Sequence, residues 1–159
     1  MSNAFKSIAS PVGLLKLVAS DSALIAVLWE NGDPKRVWLG PLVEDLEHPI
    51  LCEAERQLAE YFAGARKSFD LPLAFVGTAF QKQVWSELLN IPFGQTRTYA
   101  DVATAIGRPS AFRAVGAANG KNPISIVAPC HRVIGKDGSL TGFAGGLEAK
   151  EFLLGIEAV

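Results

Sequence analysis

A helix-turn-helix pattern in the second half of the chain constrains the fold more than any other feature. Thr98 and Asp101 have the spacing of a capping box, in which each side chain bonds to the other residue's backbone N–H. A Gly-Arg-Pro turn at residues 107–109 ends the helix that this box begins. We expect Ser110 to cap a second helix that runs to about Asn119. Two short helices joined by a glycine-containing turn are typical of a helix-turn-helix unit.

The helices on either side of this unit follow from the same rules. Thr78 and Gln81 form an earlier capping box, and Pro-Phe-Gly at residues 92–94 ends the helix that this box opens. A last helix is predicted at about residues 147–156. The second half of the chain is therefore predicted to be mostly helical.

The first half of the chain has the pattern of strands followed by one helix. Residues 14–19 and 23–29 are short runs of β-branched and apolar side chains separated by polar turn residues. Pro49 suits the first position of a helix that continues to about residue 63. We predict an α+β fold with a domain boundary in residues 69–77. A small α/β domain, an antiparallel sheet plus a helix, would occupy residues 1–76, and a helical domain residues 77–159.

Charge is distributed unevenly between the two halves. Residues 1–76 carry seven Lys/Arg and ten Asp/Glu, a net charge of −3, whereas residues 77–159 carry eight and six, a net charge of +2. Residues 97–137 hold six bases and two acids, Asp101 and Asp137, a net charge of +4. Such a bias is compatible with a solvated surface or with a nucleic-acid site, and by itself does not separate them. The six bases are Arg97, Arg108, Arg113, Lys121, Arg132 and Lys136.

The cysteine and histidine content excludes several classes of protein. Two cysteines, Cys52 and Cys130, are too few for a disulfide framework, and we expect both to be free thiols in a cytoplasmic protein. Cys52 is expected to be structural and His48 to lie in an exposed loop. No metal-ligand spacing and no Gly-x-Gly-x-x-Gly loop is present, so we predict neither a metal nor a cofactor. No apolar run is long enough to span a membrane.

The second helix of the helix-turn-helix unit has an unusual composition. A helix that reads bases in the major groove needs several long polar side chains. This one offers Arg113 and, at its end, Asn119, while its other side chains are small or apolar. Small residues permit close approach to another surface. Two interpretations follow. The helix packs tightly inside the domain, or it makes close, sequence-independent contact with a nucleic-acid groove.

Cys130 is the candidate nucleophile. Residues 124–127 suit a buried strand, and Pro129 ends it, so that Cys130 would lie on a turn beside His131 and Arg132. A protonated thiol is a poor nucleophile, and an imidazole base backed by a carboxylate raises the fraction of thiolate. A cysteine next to a histidine in sequence is weak evidence alone, because the two side chains can point apart.

Several motifs around Cys130 together resemble one family. Pro-Cys-His-Arg-Val-Ile at residues 129–134 is similar to the active-site signature of the O6-alkylguanine-DNA alkyltransferases. Arg-Ala-Val-Gly-Ala-Ala-Asn-Gly at 113–120, Asn-Pro at 122–123 and Gly-Phe-Ala-Gly-Gly at 142–146 match at the same intervals. The resemblance covers residues 78–157 and, more loosely, Glu-Tyr-Phe-Ala-Gly at 60–64. The chain is most similar to the bacterial stand-alone form.

The resemblance implies a role for each reacting group. Cys130 would accept the alkyl group, and His131 would take the thiol proton through a water molecule. Glu157 would orient the imidazole, and Asn122 would hold the turn that carries these groups. Tyr99 would crowd the DNA backbone to promote base flipping and protonate the departing guanine.

The resemblance also implies a DNA surface and a substrate pocket. Arg113 would be a finger that replaces the flipped base, and the small helix behind it would lie in the minor groove. Phe143 stands where the family usually has tyrosine, so a phenol hydroxyl is lost. Ser125 would face the alkyl group, and because it is small we hypothesise tolerance of groups larger than methyl. The other expected DNA contacts are Thr98, Tyr99, Ala114, Gly116, Ala117 and Gly120, and the other pocket residues are Pro129, Val133 and Ala144.

The expected partner is double-stranded DNA that contains alkylated guanine, with alkylated thymine left open. The resemblance implies a ribonuclease H-like first domain, a winged-helix-like second domain and a monomer that acts once; cooperative binding along DNA is left open. Two other classes also suit parts of the pattern. A cysteine hydrolase would use the same thiol and imidazole on a carbonyl. A helix-turn-helix regulator would bind DNA without chemistry.

Overall fold

The computed structural model describes residues 2–33 and 36–158, and its first half is a four-stranded sheet covered by one helix. Three strands come first: β1 (Asn3–Ile8), β2 (Leu15–Ala19) and β3 (Leu24–Trp29). Strand β2 pairs antiparallel with both β1 and β3. The fourth strand, β4 (Leu42–Glu44), pairs parallel with β1, giving the order β3-β2-β1-β4. The predicted antiparallel sheet is present in β1 to β3, and β4 adds a parallel pairing at the edge that the sequence did not predict. Strand β4 has three residues and none of them is buried, so it has no alternation of apolar and polar side chains that could be recognised in sequence.

Helix α1 (Pro49–Phe62) packs on this sheet. Pro49 occupies its first turn as predicted, and the helix buries Leu51, Ala54 and Leu58 among others. The prediction for His48 is wrong. His48 is the N-cap of α1, half-buried, and its imidazole accepts a hydrogen bond from the backbone N–H of Ile50 at 3.2 Å. A histidine in this role carries none of the usual Ser, Thr, Asp or Asn signal.

The second half contains the predicted helices. Helix α2 (Ala79–Leu88) and helix α3 (Tyr99–Ala105) each begin with the predicted capping box, with both reciprocal bonds present. Helix α4 (Phe112–Gly120) follows the turn, and α5 (Leu147–Glu157) is the last helix. Two short strands, β5 (Arg97–Thr98) and β6 (Val133–Ile134), pair parallel and join the helix-turn-helix unit to the chain after Cys130. The predicted boundary between the halves lies between α1 and α2 and stays a prediction.

The expected cap of α4 is wrong. Its N-cap residue is Ala111, which makes no side-chain bond, and Ser110 lies one residue outside the helix. The backbone N–H of Ala111 instead bonds to the carbonyl of Arg108 at 2.9 Å, which closes a turn. The helix therefore begins two residues after Ser110, which is not at the N-cap position. The position of a capping residue cannot be read from sequence when the turn before it is longer than expected.

Among the described residues, two large hydrophobic cores meet at the residues before Cys130, and a smaller third cluster contains Val18, Ile25 and Ala26. The first core joins the sheet and α1 to side chains from the second half, including Ile124, Ile126 and Leu153. The second core lies among α2, α3 and α4 and includes Cys130 and Val133. The candidate nucleophile therefore packs in the second core, two residues after Ala128, which packs in the first. Within the described residues, no helix is long and apolar enough to cross a membrane.

Candidate active site

Residues 122–129, named here the nucleophile loop, carry Cys130 into the interior. They are not the strand that was predicted at 124–127: Ile124 forms one isolated bridge with Val27, and turns follow. Ile126 has a φ of 73°, a left-handed conformation that costs a β-branched residue of the order of 1–3 kcal/mol. An apolar run predicts burial correctly here, since every residue of the loop is buried. It does not distinguish a strand from a buried turn.

Asn122 spans the nucleophile loop from within. Its side-chain N–H donates to the carbonyl of Ala128 at 2.8 Å, and its side-chain oxygen accepts from the N–H of Ile124 at 3.1 Å. Asn122 is 1% exposed, so both bonds are shielded from water. A residue of the first half also holds the start of the loop: the Arg36 guanidinium donates to the carbonyls of Gly120 and Asn122 at 3.1 and 3.0 Å. The loop is thus fixed at its start and across its middle.

Cys130 begins a single 3₁₀ turn, Cys130–Arg132, and is 3% exposed. Burial raises the pKa of the thiol, while the Asn122 side chain and the positive charges of Arg36 and Lys150 oppose this rise. The thiol is therefore protonated at neutral pH in the DNA-free protein. A base must remove the proton before the sulfur can attack.

His131, the next residue, is the candidate base. Its Nε2 lies 2.8 Å from Glu157 Oε2, and both side chains are buried. Burial lowers the pKa of the imidazole even though Glu157 opposes this, so the ring is neutral at pH 7. Since the carboxylate can only accept, the proton of the neutral ring belongs on Nε2. The other nitrogen, Nδ1, is then free to accept a proton, and it has no hydrogen-bond partner among the described residues.

Glu157 is the centre of a buried group that also contains Tyr61, His131 and Arg132, named here the Glu157 cluster. Arg132 donates to both carboxylate oxygens, at 2.7 and 3.0 Å, and to the carbonyl of Ile91 at 2.6 Å. Tyr61 on α1 donates its hydroxyl to Glu157 Oε2 at 2.5 Å. Burial would raise the pKa of Glu157, but the hydrogen bonds from His131, Arg132 and Tyr61 hold it at about 2. The carboxylate stays ionised.

The Glu157 cluster corrects the charge argument made from sequence. Arg132 was counted with the six bases of residues 97–137, but it is 6% exposed and bonded to Glu157. Its charge is neutralised inside the protein and is not available to a partner. Arg108, Arg113, Lys121 and Lys136 are exposed, and Arg97 is half-buried. The positive surface is weaker than the sequence count indicates.

Helix α4 presents its small residues outward. Arg113, Ala114 and Ala117 are exposed, and Gly116 and Gly120 are half-buried. At 3.6 residues per turn, residues 113, 116, 117 and 120 share one face. Asn119, the second long polar side chain, is buried and points inward, with its N–H 3.4 Å from the carbonyl of Cys130. The outward face therefore carries one long polar side chain, Arg113, on a closely approachable backbone.

Tyr99 stands beside this face. A Cβ added to Gly116 would lie 3.7 Å from the Tyr99 ring, so the ring borders α4. The Tyr99 hydroxyl is 2.5 Å from the Thr141 hydroxyl, which connects α3 to the segment before Phe143. Thr98 is the N-cap of α3, with its side chain bonded to the N–H of Asp101 at 3.1 Å.

The expected pocket residues lie on two segments that the fold brings near Cys130. Pro129 and Val133 flank the 3₁₀ turn and are buried. Phe143 and Ala144 belong to residues 142–146, named here the closing loop, and are half-buried. Phe143 packs against both hydrophobic cores. Ser125 is fully buried, and its hydroxyl accepts a hydrogen bond from the indole N–H of Trp29 at 3.0 Å.

Four residues around the site were not found by sequence reasoning: Trp29, Arg36, Tyr61 and Lys150. Lys150 is fully buried and donates to the carbonyls of Val133 and Thr141 at 2.7 and 3.2 Å. Burial lowers the pKa of its ammonium. A signal was present for two of them, since Tyr61 and Lys150 fall on the apolar faces of helices, where a polar group needs a partner. Trp29 and Arg36 act across long sequence separations and leave no local signal.

Comparison with known proteins identifies the family. Residues 79–159 match the DNA binding domain of 6-O-methylguanine DNA methyltransferase, and residues 4–75 match the ribonuclease-like domain of the same family. The chain belongs to the 6-O-methylguanine DNA methyltransferase family. The resemblance inferred from the motifs is thereby confirmed, as are the α+β class and the ribonuclease-like first half.

Relatives of this methyltransferase family match over nearly the whole chain. A methylated-DNA–protein-cysteine methyltransferase from Methanosarcina acetivorans is 51% identical over 93% of this chain and 94% of its own. The constitutive enzyme of that name from Bacillus subtilis is 47% identical over 99% and 96%. Among solved structures, Mycobacterium tuberculosis OGT in complex with DNA has a TM-score of 0.89 and 42% identity, over 98% of this chain and 92% of that one.

Proposed function

We propose that this methyltransferase-family protein repairs DNA by moving the alkyl group of O6-alkylguanine onto the thiol of Cys130, once per molecule. The observation that carries the proposal is the buried arrangement of Cys130, His131 and Glu157, with the imidazole 2.8 Å from the carboxylate and its Nδ1 free. A neutral imidazole in this tautomer is suited to take a thiol proton. The family matches over both halves of the chain support the same activity.

The reaction is an in-line displacement at the alkyl carbon. His131 takes the thiol proton through a water molecule, and the sulfur forms a bond to the alkyl carbon as the bond from that carbon to guanine O6 breaks. The electron pair of the broken bond leaves with guanine. Tyr99 donates its hydroxyl proton to the leaving guanine. The negative charge left on Tyr99 is balanced by the positive charge that His131 gains with the thiol proton. The thioether that remains on Cys130 is stable, so each molecule acts once.

The DNA surface in this proposal is the outward face of α4. A stacked base cannot reach a buried thiol, so the alkylated base must be flipped out of the duplex. Arg113 would fill the space in the stack, and Ala114, Gly116, Ala117 and Gly120 would allow the helix close to the minor groove. Repair must be independent of sequence, which fits a face with one long polar side chain. With few exposed positive charges, we expect modest, salt-sensitive binding to double-stranded DNA.

We further propose a monomer that works in the cytoplasm, where its thiol stays reduced. In the substrate pocket, Pro129, Val133 and Ala144 would contact the flipped base, and Phe143 would stack on it. Ser125 would face the alkyl group.

One experiment tests the proposal against its two rivals. The protein is mixed with an equimolar duplex that contains O6-methylguanine, and its intact mass is recorded. We expect the mass of a single methyl group to be added, to be absent in Cys130→Ala, and to be retained in Cys52→Ser. Cys52 is a matched control because its thiol is only half-buried and lies in α1. A regulator would bind without a mass change, and a hydrolase would leave no stable adduct; either result would refute the proposal.

A further inference from the structure

Trp29, the last residue of β3, contacts two loops that are far apart in sequence. It is 8% exposed, and its indole N–H donates to the Ser125 hydroxyl in the nucleophile loop at 3.0 Å. The ring also packs edge-on to Phe143 in the closing loop, with centroids 5.4 Å apart and planes at 73°. One side chain of the first half thus touches both walls of the proposed pocket.

The closing loop lies flat against this indole. A Cβ added to Gly145 would come within 2.6–2.7 Å of three Trp29 ring carbons, a distance that real Cβ atoms do not show. Glycine is therefore required at 145 for the backbone to reach the ring. Since backbone and Phe143 side chain both rest on the indole, the position of the closing loop depends on where Trp29 stands.

The nucleophile loop depends on β3 as well. The N–H of Val27 donates to the carbonyl of Pro123 at 2.9 Å, and the N–H of Ser125 donates to the carbonyl of Val27 at 3.3 Å. These bonds use backbone atoms that any sequence supplies. Trp29 adds a hydrogen bond from a β3 side chain, and this bond ends on the residue next to the strained Ile126. It is suited to set the exact placement of Ser125.

We propose that Trp29 is a positioning residue that determines specificity: it fixes the spacing between Ser125 and Phe143 and so sets which alkyl groups react. This inference rests on the proposed function. A methyl group touches little of either wall, whereas a benzyl group fills the space between them. Loss of the fixed spacing should therefore slow transfer of the larger group much more than transfer of methyl.

The test is Trp29→Phe, which keeps an aromatic ring and removes the indole N–H. Single-turnover rates are measured with duplexes that contain O6-methylguanine or O6-benzylguanine. A buried hydrogen bond left unmade can change a rate about tenfold, so we expect the benzyl rate to fall about tenfold and the methyl rate less than about threefold. The control is Trp38→Phe, since Trp38 is 81% exposed. It should leave the ratio of the two rates unchanged.

Two further measurements separate positioning from general destabilisation. Amide hydrogen exchange should become faster in Trp29→Phe at both Val127 and Gly146, whose N–H groups are bonded within their loops at 2.8 and 2.9 Å. In a Ser125→Ala background, Trp29→Phe should change the rate ratio no further, because its hydrogen-bond partner is already gone. If Trp29→Phe does not fold, Ser125→Ala breaks the same bond and must both change the ratio and speed exchange at Gly146, since a change in the Ser125 wall alone would alter the ratio without loosening the closing loop.

The outcomes are distinct. Equal losses of both rates, or an unchanged ratio, overturn the inference while leaving alkyl transfer to Cys130 intact. Absence of methyl transfer by the unmodified protein would instead overturn the proposed function.

Discussion

Arg132 gives the sharpest test of how the site is built. Its place in a basic segment predicts a loss of DNA binding when it is replaced, whereas its buried contact with Glu157 predicts a loss of stability. Replacing it by methionine keeps an unbranched side chain and removes the guanidinium. Three hydrogen bonds are lost, two to Glu157 at 2.7 and 3.0 Å and one to the carbonyl of Ile91 at 2.6 Å. Breaking a buried ion pair from one side costs about 3–5 kcal/mol, since the remaining charge stays buried. For a chain of this size we expect Tm to fall by roughly 6–20 °C.

The pH dependence of stability should change in the same variant. The pKa of Glu157 is held at about 2, below its usual 4.5, so its contribution to stability is full above pH 4.5 and is lost as the pH falls toward 2. Without the guanidinium this pKa rises toward its usual value. Arg132→Met should therefore begin to lose stability at a higher pH than the unmodified protein during acid titration. Unfolding followed by circular dichroism measures both effects.

DNA binding provides the contrasting readout, with Lys121→Met as the matched control. Arg132 is buried, so its loss should leave the slope of log Kd against log salt unchanged. Lys121 is exposed at the end of α4, and removing one phosphate contact there should make the slope shallower by about one. Binding is measured in a Cys130→Ala background to prevent reaction. The reasoning would be refuted if Arg132→Met changed the free energy of unfolding by less than about 0.5 kcal/mol and reduced the salt slope.

Three other predictions follow from single contacts. Tyr61→Phe should destabilise the protein by about 1–2 kcal/mol and raise the pKa of Glu157, visible as an acid-unfolding midpoint at higher pH; an unchanged midpoint would show that the hydroxyl does not support the carboxylate. Arg113→Ala should slow alkyl transfer from duplex DNA more than transfer from the free base, and equal effects on both substrates would exclude a role in flipping. Thr78→Ala should cost about 1 kcal/mol in urea unfolding through loss of the α2 capping box, whereas no loss would mean that the box is not formed in solution.

The helices of the second half could be predicted from local sequence patterns. The capping boxes at Thr78 and Thr98 depend on side chains three residues apart, and both are present as predicted. Residues 124–127 were predicted to be buried and are, but the predicted strand is a turn. Which backbone conformation an apolar run adopts is decided by Asn122 and β3, and the pairing with β3 is not encoded within the run itself.

The site itself was only partly accessible to sequence reasoning. The motif around Cys130 led to its reacting groups, because these side chains are identified by chemistry and spacing. The residues that hold them come from the other half of the chain: Tyr61 reaches Glu157 across 96 positions, and Trp29 reaches Ser125 across the same number. Contacts at such separations depend on the packing of two cores, which no local pattern reports.

The nucleophile loop lies in the first hydrophobic core although it belongs to the second half of the sequence. A fragment of residues 77–159 alone would expose Ile124, Ile126 and Leu153 to water, and the first half alone would lose the side chains that fill its interior. We therefore expect the two halves to melt in one cooperative transition rather than two. Destabilising substitutions in the first half should therefore disturb the Cys130 site as directly as substitutions beside it. One half without the other is not expected to give a working protein.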